Sequence, residues 1–263
     1  MSSLEQFNIK DQVAVVTGSG QGIGRAIALT LAAAGADVVI NARRMDDLQQ
    51  TAHSIEALGR RALIVAGDIR NLSEHIAQQA VQKFERLDIW INNVGGSDEK
   101  DVHELAQTPD DIFRAQLELN LTSAFQGCKA AANAMQDGGA IVNITSGAGT
   151  RGSPMTGPYA AAKAGLINLT QTLALELAER GIRVNAVSPG PVVTEAFREV
   201  LGVEDKLQQL AQSIPLGRAG EPEDIANMVL FLCSPAAAWI TGEHHLVAGG
   251  RTHRTVQYQS KQT

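Results

Sequence analysis

A short apolar run that leads directly into a glycine-rich turn constrains the fold of this chain most strongly. Residues 13–17 read VAVVT, the continuous apolar pattern of a strand buried on both faces, and residues 17–24 read TGSGQGIG. An amphipathic helix is predicted from Ile23 to Ala34, ended by Gly35. A buried strand that turns directly into a helix predicts the first unit of a parallel α/β sheet.

The alternation of strand and helix continues to the end of the chain without a linker or a change in composition. Further strands are predicted at 37–41, 62–66, 89–92, 140–145, 183–188 and 243–247, with helices at 45–58, 73–84, 109–135, 158–180 and 222–232. Residues 189–222 are predicted to be irregular or short-helical. The pattern predicts an α/β fold: one doubly wound parallel sheet with helices on both faces, in a single domain over 1–263 with its core at 8–250 and a polar tail at 251–263.

Composition excludes several classes of function. A net charge of −6 in 263 residues, with a pI near 5.5, argues against a nucleic-acid surface. No run of about 18 apolar residues predicts a membrane span, and the N-terminus lacks the basic and apolar regions of a secretory signal. Two cysteines, Cys128 and Cys233, form no disulfide framework or zinc pattern, and His244–His245 lacks ligand spacing. We therefore expect a cytoplasmic protein without a metal site.

The glycine-rich turn predicts a nucleotide site. Glycines between a strand and a helix allow a pyrophosphate to approach the helix N-terminus, and the spacing here fits T-G-x-x-x-G-x-G. At the end of the second strand, where an NAD site usually has a carboxylate, the chain has Ala42 followed by Arg43 and Arg44. Guanidinium groups there favour NADP(H) as the cofactor, and NAD(H) is the alternative cofactor. The alternative is that the two arginines are solvated loop residues.

A tyrosine and a lysine share one face of the helix that follows the fifth strand. Tyr159 and Lys163 are four residues apart, and Ser146 stands at the end of the preceding strand. An ammonium beside a phenol favours the phenolate, so we expect Lys163 to lower the pKa of Tyr159. On their own, the two residues could equally be helix neighbours without a catalytic role.

Taken together, these residues resemble the short-chain dehydrogenase/reductase family over roughly residues 8–250. The resemblance includes the glycine-rich loop, Asn92–Gly95, Asn120, the thirteen-residue step from Ser146 to Tyr159, and Pro189–Gly190. The chain is similar to the 3-oxoacyl-carrier-protein reductase, glucose dehydrogenase and bacterial hydroxysteroid dehydrogenase members. The resemblance implies a Rossmann-type fold and an oxidoreductase that interconverts a ketone and a secondary alcohol by hydride transfer to or from NAD(P).

The resemblance also implies roles for four catalytic residues. Tyr159 would be the general acid for ketone reduction and the base for alcohol oxidation. Lys163 would bind the nicotinamide ribose and lower the Tyr159 pKa, and Ser146 would hydrogen-bond the substrate oxygen. Asn120 would help to hold a water that links Lys163 to solvent.

The cofactor site follows from the loop and from the resemblance. The residues assigned to it are Gly18, Ser19, Gln21, Gly22, Ile23, Gly24, Arg43, Arg44, Asp68, Ile69, Asn92, Gly95, Tyr159, Lys163, Pro189, Gly190, Val192 and Thr194.

The substrate pocket is predicted to be apolar. Its expected wall residues are Gly96, Ala148, Met155, Val193 and Phe197. They suit a hydroxysteroid, a cyclic ketone or a 3-oxoacyl substrate. A substrate bound to carrier protein would favour a basic patch, but Arg114, Lys129 and Arg151 are scattered in the sequence.

The alternative function is a cofactor-binding sensor or scaffold without turnover. The resemblance further implies a homotetramer with the 109–135 and 158–180 helices at one interface, and no nucleic-acid or membrane partner.

Overall fold

The computed structural model describes residues 5–136, 138–195 and 204–250, with the backbone alone at 204–207. Seven strands form one parallel sheet in the order β3-β2-β1-β4-β5-β6-β7. Their bounds are β1 (Val13–Thr17), β2 (Asp37–Ala42), β3 (Ala62–Ala66), β4 (Ile89–Asn92), β5 (Gly139–Ile144), β6 (Ile182–Pro189) and β7 (His244–Val247). This confirms the predicted doubly wound α/β fold. The predicted tail at 251–263 and Phe197 lie outside the described residues.

Helices cover both faces of the sheet and complete its hydrophobic core. Their bounds are α1 (Gly22–Ala33), α2 (Met45–Ala57), α3 (Ser73–Phe84), α4 (Asp110–Leu117), α5 (Ser123–Ala134), α6 (Gly157–Leu177), α7 (Glu204–Gln212) and α8 (Pro222–Cys233). On one face, α1, α2 and α8 contribute Ile27, Leu48 and Val229 to the core. On the other face, α3, α5 and α6 bury Ile76 and Ala174 among others. Burial on both faces explains the continuous apolar strands.

The long helix predicted over 109–135 is interrupted. A π-helical turn at Glu118–Thr122 separates α4 from α5, and the Ser123 N–H bonds to the Glu118 carbonyl five residues earlier. Apolar periodicity does not report such a turn, because one widened turn hardly changes which side chains face the core. Asn120 lies inside this turn and is fully buried.

The strand order places a topological switch between β1 and β4. From this point the chain builds outward in both directions, and in sheets of this type ligands bind in the crevice beyond the carboxyl ends of the strands. Residues 17–24 and 92–96 lie at that crevice, directly after β1 and β4. Among the described helices, none combines the length and apolar character needed to cross a bilayer.

Candidate active site

The glycine-rich loop after β1 forms a cradle whose surface is backbone without side chains. Gly18 and Gly22 have positive φ angles of 66° and 55°, which favour glycine. A Cβ on Gly24 would lie 2.1 Å from the Gly18 carbonyl oxygen, so α1 begins in direct contact with the loop. Gln21, the N-cap residue of α1, makes no side-chain cap hydrogen bond. The first backbone N–H groups of α1 therefore lack a side-chain acceptor, as a phosphate site requires.

Asn93 supports this loop from the neighbouring strand and was not singled out from the sequence. Its side-chain Nδ2 donates to the carbonyls of Thr17 and Gly18 at 3.0 and 3.2 Å, and its backbone N–H donates to the Thr17 hydroxyl at 3.0 Å. Ser19, predicted to contact the cofactor, is fully buried, and its hydroxyl accepts from the Asn41 N–H at 3.0 Å. The position of Asn93, directly after β4 at the carboxyl edge, was the signal that could have identified it.

The two arginines after β2 have different environments. The Arg44 guanidinium donates to Gln21 Oε1 at 2.7 Å and forms an ion pair with Asp47 at 2.6 Å. Within the described residues, Arg43 is exposed and makes no hydrogen bond, and its charge helps to lower the pKa of Asp68. Arg43 is therefore the guanidinium available to an anionic ligand at this edge.

Asp68 and Ile69 lie beside this arginine but are largely committed to the fold. The Asp68 carboxylate caps the short 3₁₀ helix Ile69–Asn71 and accepts from Arg70 Nε at 3.0 Å. Hydrogen bonds from Arg70 hold the pKa of Asp68 below its usual range, and burial opposes the shift. The Ile69 side chain belongs to the core. The Asp68 side chain is still 30% exposed, so its carboxylate and the backbone of this segment are the groups that a ligand could contact.

The segment after β6 crosses above the glycine-rich loop. A Cβ on Gly22 would lie 3.1 Å from Thr194 Cγ2, so Thr194 covers the start of α1. Gly190 lies against Ala248, where a Cβ would come within 2.7 Å of the backbone. The Val193 N–H donates to the Gly220 carbonyl at 2.8 Å and anchors the segment. Pro189, Gly190, Val192 and Thr194 thus lie together on the carboxyl side of the sheet, as predicted for one wall of a cofactor site.

Ser146 and Tyr159 meet where the loop after β5 returns to α6. Ser146 caps the 3₁₀ turn Gly147–Thr150 and is hydrogen-bonded to the Tyr159 side chain. A Cβ on Gly149 would lie 2.7 Å from the Lys163 carbonyl carbon, so only glycine allows the turn to lie flat on α6. Burial raises the pKa of Tyr159, and the Ser146 hydrogen bond opposes the shift without reversing it. This direction is opposite to the expectation from the sequence, because desolvation of the phenol outweighs its neighbours.

Lys163 is a buried amine on the same face of α6. Its Nζ lies 5.8 Å from the centre of the Tyr159 ring and donates to the Ile144 carbonyl at 3.0 Å. Burial lowers the pKa of Lys163 to about 8. A buried amine with this pKa can hold or release a proton near neutral pH.

Asn120 and Gly95 complete the cluster. A Cβ on Gly95 would lie 2.7 Å from both Asn120 Oδ1 and Lys163 Nζ, so these side chains meet around the bare backbone of Gly95. Asn120 Oδ1 accepts from the Gly96 N–H at 2.8 Å, and Asn120 Nδ2 donates to the Gly96 carbonyl at 3.0 Å. The structure therefore brings together the four residues predicted to be catalytic, which are separated by up to 43 positions in sequence.

Asn92 is a further predicted cofactor residue whose side chain is used within the fold. Its Oδ1 accepts from the Trp90 indole at 2.7 Å, and its Nδ2 donates to Asn143 Oδ1 at 2.8 Å. Cys128 lies in the same buried network, 3.2 Å from Asn92 Nδ2, and burial raises its pKa to about 12. The side chain of Asn92 thus ties β4 to β5 and α5, and only its backbone remains for a ligand.

The predicted substrate wall is partly apolar and open. Met155 has a φ of 70° and is 43% exposed beside the start of α6. Gly96, Ala148 and Val193 are half-buried around the same crevice. The loops that carry these residues come from the ends of three different strands, β4, β5 and β6.

Comparison with known proteins places this arrangement in a family. Residues 18–252 match the family model described as enoyl-(acyl carrier protein) reductase. A 7alpha-hydroxysteroid dehydrogenase of Escherichia coli is 37% identical over 254 residues, which cover 95% of this chain and 98% of that protein. A 3-oxoacyl-[acyl-carrier-protein] reductase of Synechocystis sp. is 42% identical over 245 residues, covering 91% and 96%.

A solved structure shows the same fold. A 7 alpha-hydroxysteroid dehydrogenase in complex with NADH and 7-oxo glycochenodeoxycholic acid superposes with a TM-score of 0.89 at 35% identity, covering 97% of this chain and all of that chain. The chain belongs to the short-chain dehydrogenase/reductase family. It is an enzyme of the oxidoreductase class, and the resemblance inferred from its motifs is confirmed.

Proposed function

We propose that the protein is an NADP(H)-preferring oxidoreductase that interconverts an apolar ketone and its secondary alcohol. The observation that carries the proposal is the cluster in which Tyr159 is hydrogen-bonded to Ser146 beside the buried amine of Lys163. The glycine-rich cradle and the uncapped start of α1 fit a pyrophosphate, which supports a dinucleotide cofactor. When bound, the nicotinamide supplies or accepts hydride. The protein must orient the carbonyl and move one proton.

Tyr159 is the group suited to that proton transfer. In the reductive direction its hydroxyl donates a proton to the substrate oxygen, while the Ser146 hydroxyl stabilises the negative charge that develops there. Burial keeps the Tyr159 phenol protonated until then, because it raises the pKa. Lys163, with a pKa of about 8, retains its proton near neutral pH and stabilises the phenolate that is left. Asn120, which adjoins Lys163 and Gly95, would help to replace that proton from solvent.

The preference for NADP(H) is supported by charge at the end of β2. Ala42 stands where a ribose-binding carboxylate would be expected, and Arg43 is an exposed guanidinium without a hydrogen bond in the described part of the chain. A phosphate on the adenosine ribose would give Arg43 a partner. The neighbouring Asp47 carboxylate is neutralised by Arg44 at 2.6 Å. NAD(H) is the competing cofactor.

A substrate panel tests the reaction and the pocket together. The purified protein would be assayed with a 7-oxo bile acid, a cyclic ketone, a 3-oxoacyl thioester and glucose, each with the NADP and NAD couples. The absorbance of the reduced nicotinamide would report turnover. Turnover of an apolar ketone, faster with NADPH, is the expected result. Turnover of glucose alone would rule out the apolar pocket. Cofactor binding without turnover of any compound would favour the sensor.

We also propose that the protein assembles as a homotetramer. An apolar groove between α5 and α6 is lined by Leu121, Phe125 and Leu169, and Phe125 is 45% exposed. Large exposed apolar side chains along two neighbouring helices favour burial against another subunit. We take that subunit to be a second copy of the chain, as the family resemblance implies. Sedimentation velocity at micromolar concentration would show a tetramer, whereas a monomer would refute the proposal.

A further inference from the structure

A chain of hydrogen bonds leads from Asn120 away from the Tyr159 cluster. Asn120 Nδ2 donates to Gln116 Oε1 at 2.9 Å, and Gln116 Nε2 donates to Asp101 Oδ2 at 2.8 Å. The same Asp101 oxygen accepts from the Asp98 N–H at 2.8 Å. The exposed fractions of Asp101, Gln116 and Asn120 are 6%, 4% and 0%, so water cannot replace these bonds without opening the fold.

The Asp101 carboxylate at one end of this chain and the Gly96 backbone at the other require the same direction for every bond in it. A carboxylate only accepts, whereas an amide can turn over and exchange its donor for its acceptor. Because Asp101 accepts, Gln116 must direct its NH₂ group toward Asp101 and its oxygen toward Asn120. Asn120 must then donate to Gln116, which leaves its own oxygen to accept from the Gly96 N–H.

The orientation of the Asn120 amide decides the position of the backbone beside Lys163. Asn120 holds the Gly96 peptide through both of its polar groups, at 2.8 and 3.0 Å. If the amide were reversed, the Asn120 NH₂ group would face the Gly96 N–H and the Asn120 oxygen would face the Gly96 carbonyl, so neither pair could form a hydrogen bond. Gly95, the preceding residue, is in contact with both Asn120 and Lys163. A shift of this backbone would therefore move one wall of the site.

The segment that carries Asp101 also reaches the loop in front of Tyr159. The His103 N–H donates to the Met155 carbonyl at 3.0 Å, and His103 pairs with Thr156 as an isolated parallel bridge. A Cβ on Gly157 would lie 2.8 Å from Leu105 Cδ1, so the same segment packs on the start of α6. Asp101 thus lies between the Asn120 side of the site and the Met155 side.

We propose that Asp101 and Gln116 are positioning residues for the oxidoreductase reaction, acting through Asn120 and through the segment 98–103. The proposal rests on the proposed function. Neither residue is expected to touch substrate or cofactor. They hold the Asn120 amide in the one orientation that fits Gly96. They also keep the Gly95–Gly96 backbone at a fixed distance from the loop that carries Met155.

Steady-state kinetics of Gln116→Met tests this proposal. Methionine keeps the length and burial of the side chain but removes its donor and acceptor. We expect kcat to fall about 10- to 100-fold, since small misplacements near the reacting groups have effects of this size. The dissociation constant of the cofactor should change less than kcat, because Gly95 and Lys163 adjoin Asn120 whereas the glycine-rich cradle is untouched. A kcat within about twofold of wild type would overturn the proposal.

Two matched variants separate positioning from general destabilisation. Asp110→Asn removes a carboxylate from the exposed start of α4, where its side chain is 90% exposed, and should leave kcat unchanged. Ile76→Val removes a methyl group from the core on the same face of the sheet and should lower the Tm by a few degrees without a change in kcat. If Ile76→Val lowered kcat as much as Gln116→Met did, the role would be structural only.

A charge rescue tests the polarity of the chain. Gln116→Glu sets a second buried carboxylate against Asp101, and like charges this close repel. Adding Asp101→Asn removes the repulsion and places an amide NH₂ that donates to the new carboxylate, which still accepts from Asn120, while the Asp98 N–H loses its acceptor. We expect the double variant to regain a large part of the kcat lost in Gln116→Glu. A double variant no more active than Gln116→Glu would contradict the assigned polarity.

A spectroscopic measurement makes the result independent of the proposed reaction. The side-chain amide resonances of Gln116 and Asn120 would be followed by proton–nitrogen correlation in the full chain with NADP⁺ present. Both should shift in Asp101→Ala and neither in Asp110→Asn. If wild type turned over no ketone but these shifts appeared, the proposed function would fail and the chain of bonds would stand. Unmoved Asn120 resonances would overturn the proposal itself.

Discussion

The ion pairs at the amino edge of the parallel sheet and the Tyr159–Lys163 cluster at its carboxyl edge differ in how buried charge is compensated. At the amino edge, the buried carboxylate of Asp37 accepts from Arg61 Nε at 2.7 Å and pairs with Arg60 at 2.9 Å. On the same edge, Asp88 accepts from Arg86 at 2.8 Å and from the Val13 N–H at 2.8 Å. At the carboxyl edge, the buried amine of Lys163 has a carbonyl as its hydrogen-bond acceptor.

The pKa shifts follow the same division. Burial alone would raise the pKa of Asp37, but hydrogen bonds from Arg61 and the charge of Arg60 lower it overall. At the carboxyl edge, burial lowers the pKa of Lys163 and raises that of Tyr159. The arginines around Asp37 therefore favour its charged form, whereas burial in the Tyr159–Lys163 cluster favours the neutral forms. The comparison indicates that the amino edge contributes stability, whereas the carboxyl edge holds groups that can exchange a proton.

The largest expected effect at the carboxyl edge is on turnover. Tyr159→Phe removes the proton donor and leaves the ring in place, so we expect kcat to fall about 10²- to 10⁴-fold with little change in Tm. Cofactor binding, measured by fluorescence of the reduced nicotinamide, should persist. Tyr258→Phe changes the other tyrosine of the chain and serves as the chemical control. Substantial turnover by Tyr159→Phe would remove Tyr159 from its assigned role.

The largest expected effect at the amino edge is on stability. Asp37→Ala leaves Arg60 without its buried partner, and we expect the free energy of unfolding to fall by about 3 kcal/mol. Asp11→Asn is the matched control, because Asp11 contacts the same arginine at 3.5 Å while 70% exposed, and asparagine tolerates its positive φ of 63°; it should change stability little. Urea unfolding measures both, and kcat should be unchanged in each.

The pH dependence of Asp37 follows from its lowered pKa. Its stabilising contribution is present above the unfolded value of 3.8 and is lost as the pH falls through the lower folded value. Unfolding of wild type at decreasing pH should therefore show a loss that Asp37→Ala does not show. If Asp37→Ala lowered kcat but not stability, the contrast between the edges would be wrong.

A smaller effect is expected on the pH dependence of stability, through the protonation of Lys163. Its folded pKa of about 8 lies below the unfolded value of 10.5, so between these values the unfolded chain binds more protons and stability rises with pH. Lys163→Met should flatten this rise, by about 2 kcal/mol between the two ends of the window. The difference between wild type and variant in urea unfolding isolates this contribution. An identical pH slope in both proteins would contradict the lowered pKa.

The smallest expected effect is on the choice of cofactor. Arg43→Ala should weaken NADP⁺ binding about tenfold more than NAD⁺ binding, since it removes a partner for the extra phosphate. Arg44→Ala should affect both cofactors alike, because Arg44 is held by Gln21 and Asp47. Titration calorimetry of the four combinations measures this. Equal losses in Arg43→Ala would remove the charge argument for NADP(H).

Much of the fold could be predicted from the sequence because the inner strands, such as β1 and β4, are buried on both faces, and the edge strand β3 is also a short apolar run. Continuous apolar runs located β1, β3 and β4 with the bounds that the structure has. The π-helical turn at Glu118–Thr122 could not be predicted, because it changes hydrogen bonding without changing the apolar pattern. The site residues Ser146, Tyr159 and Lys163 were accessible through their spacing along a strand, a turn and a helix.

Other parts of the site depend on contacts between distant segments. Asn93 and Asn92 are adjacent in sequence, yet one supports the glycine-rich loop and the other ties β4 to β5. Only the alternation of side chains at the end of β4, together with the strands on either side, separates their roles. The hydrogen bond from Gln116 to Asp101 spans 15 residues and could not be predicted from the sequence either.

The sequence by itself determined the order of the elements, the glycine-rich turn and the Tyr159–Lys163 pair, because each depends on residues close together in the chain. Tertiary structure decided which polar groups are desolvated and which are paired. It reversed the expected direction for the pKa of Tyr159, distinguished Arg43 from Arg44, and oriented Asn120 through Asp101. Burial and long-range hydrogen bonding are properties of the packed molecule, since they arise only when separate strand ends meet at one edge of the sheet.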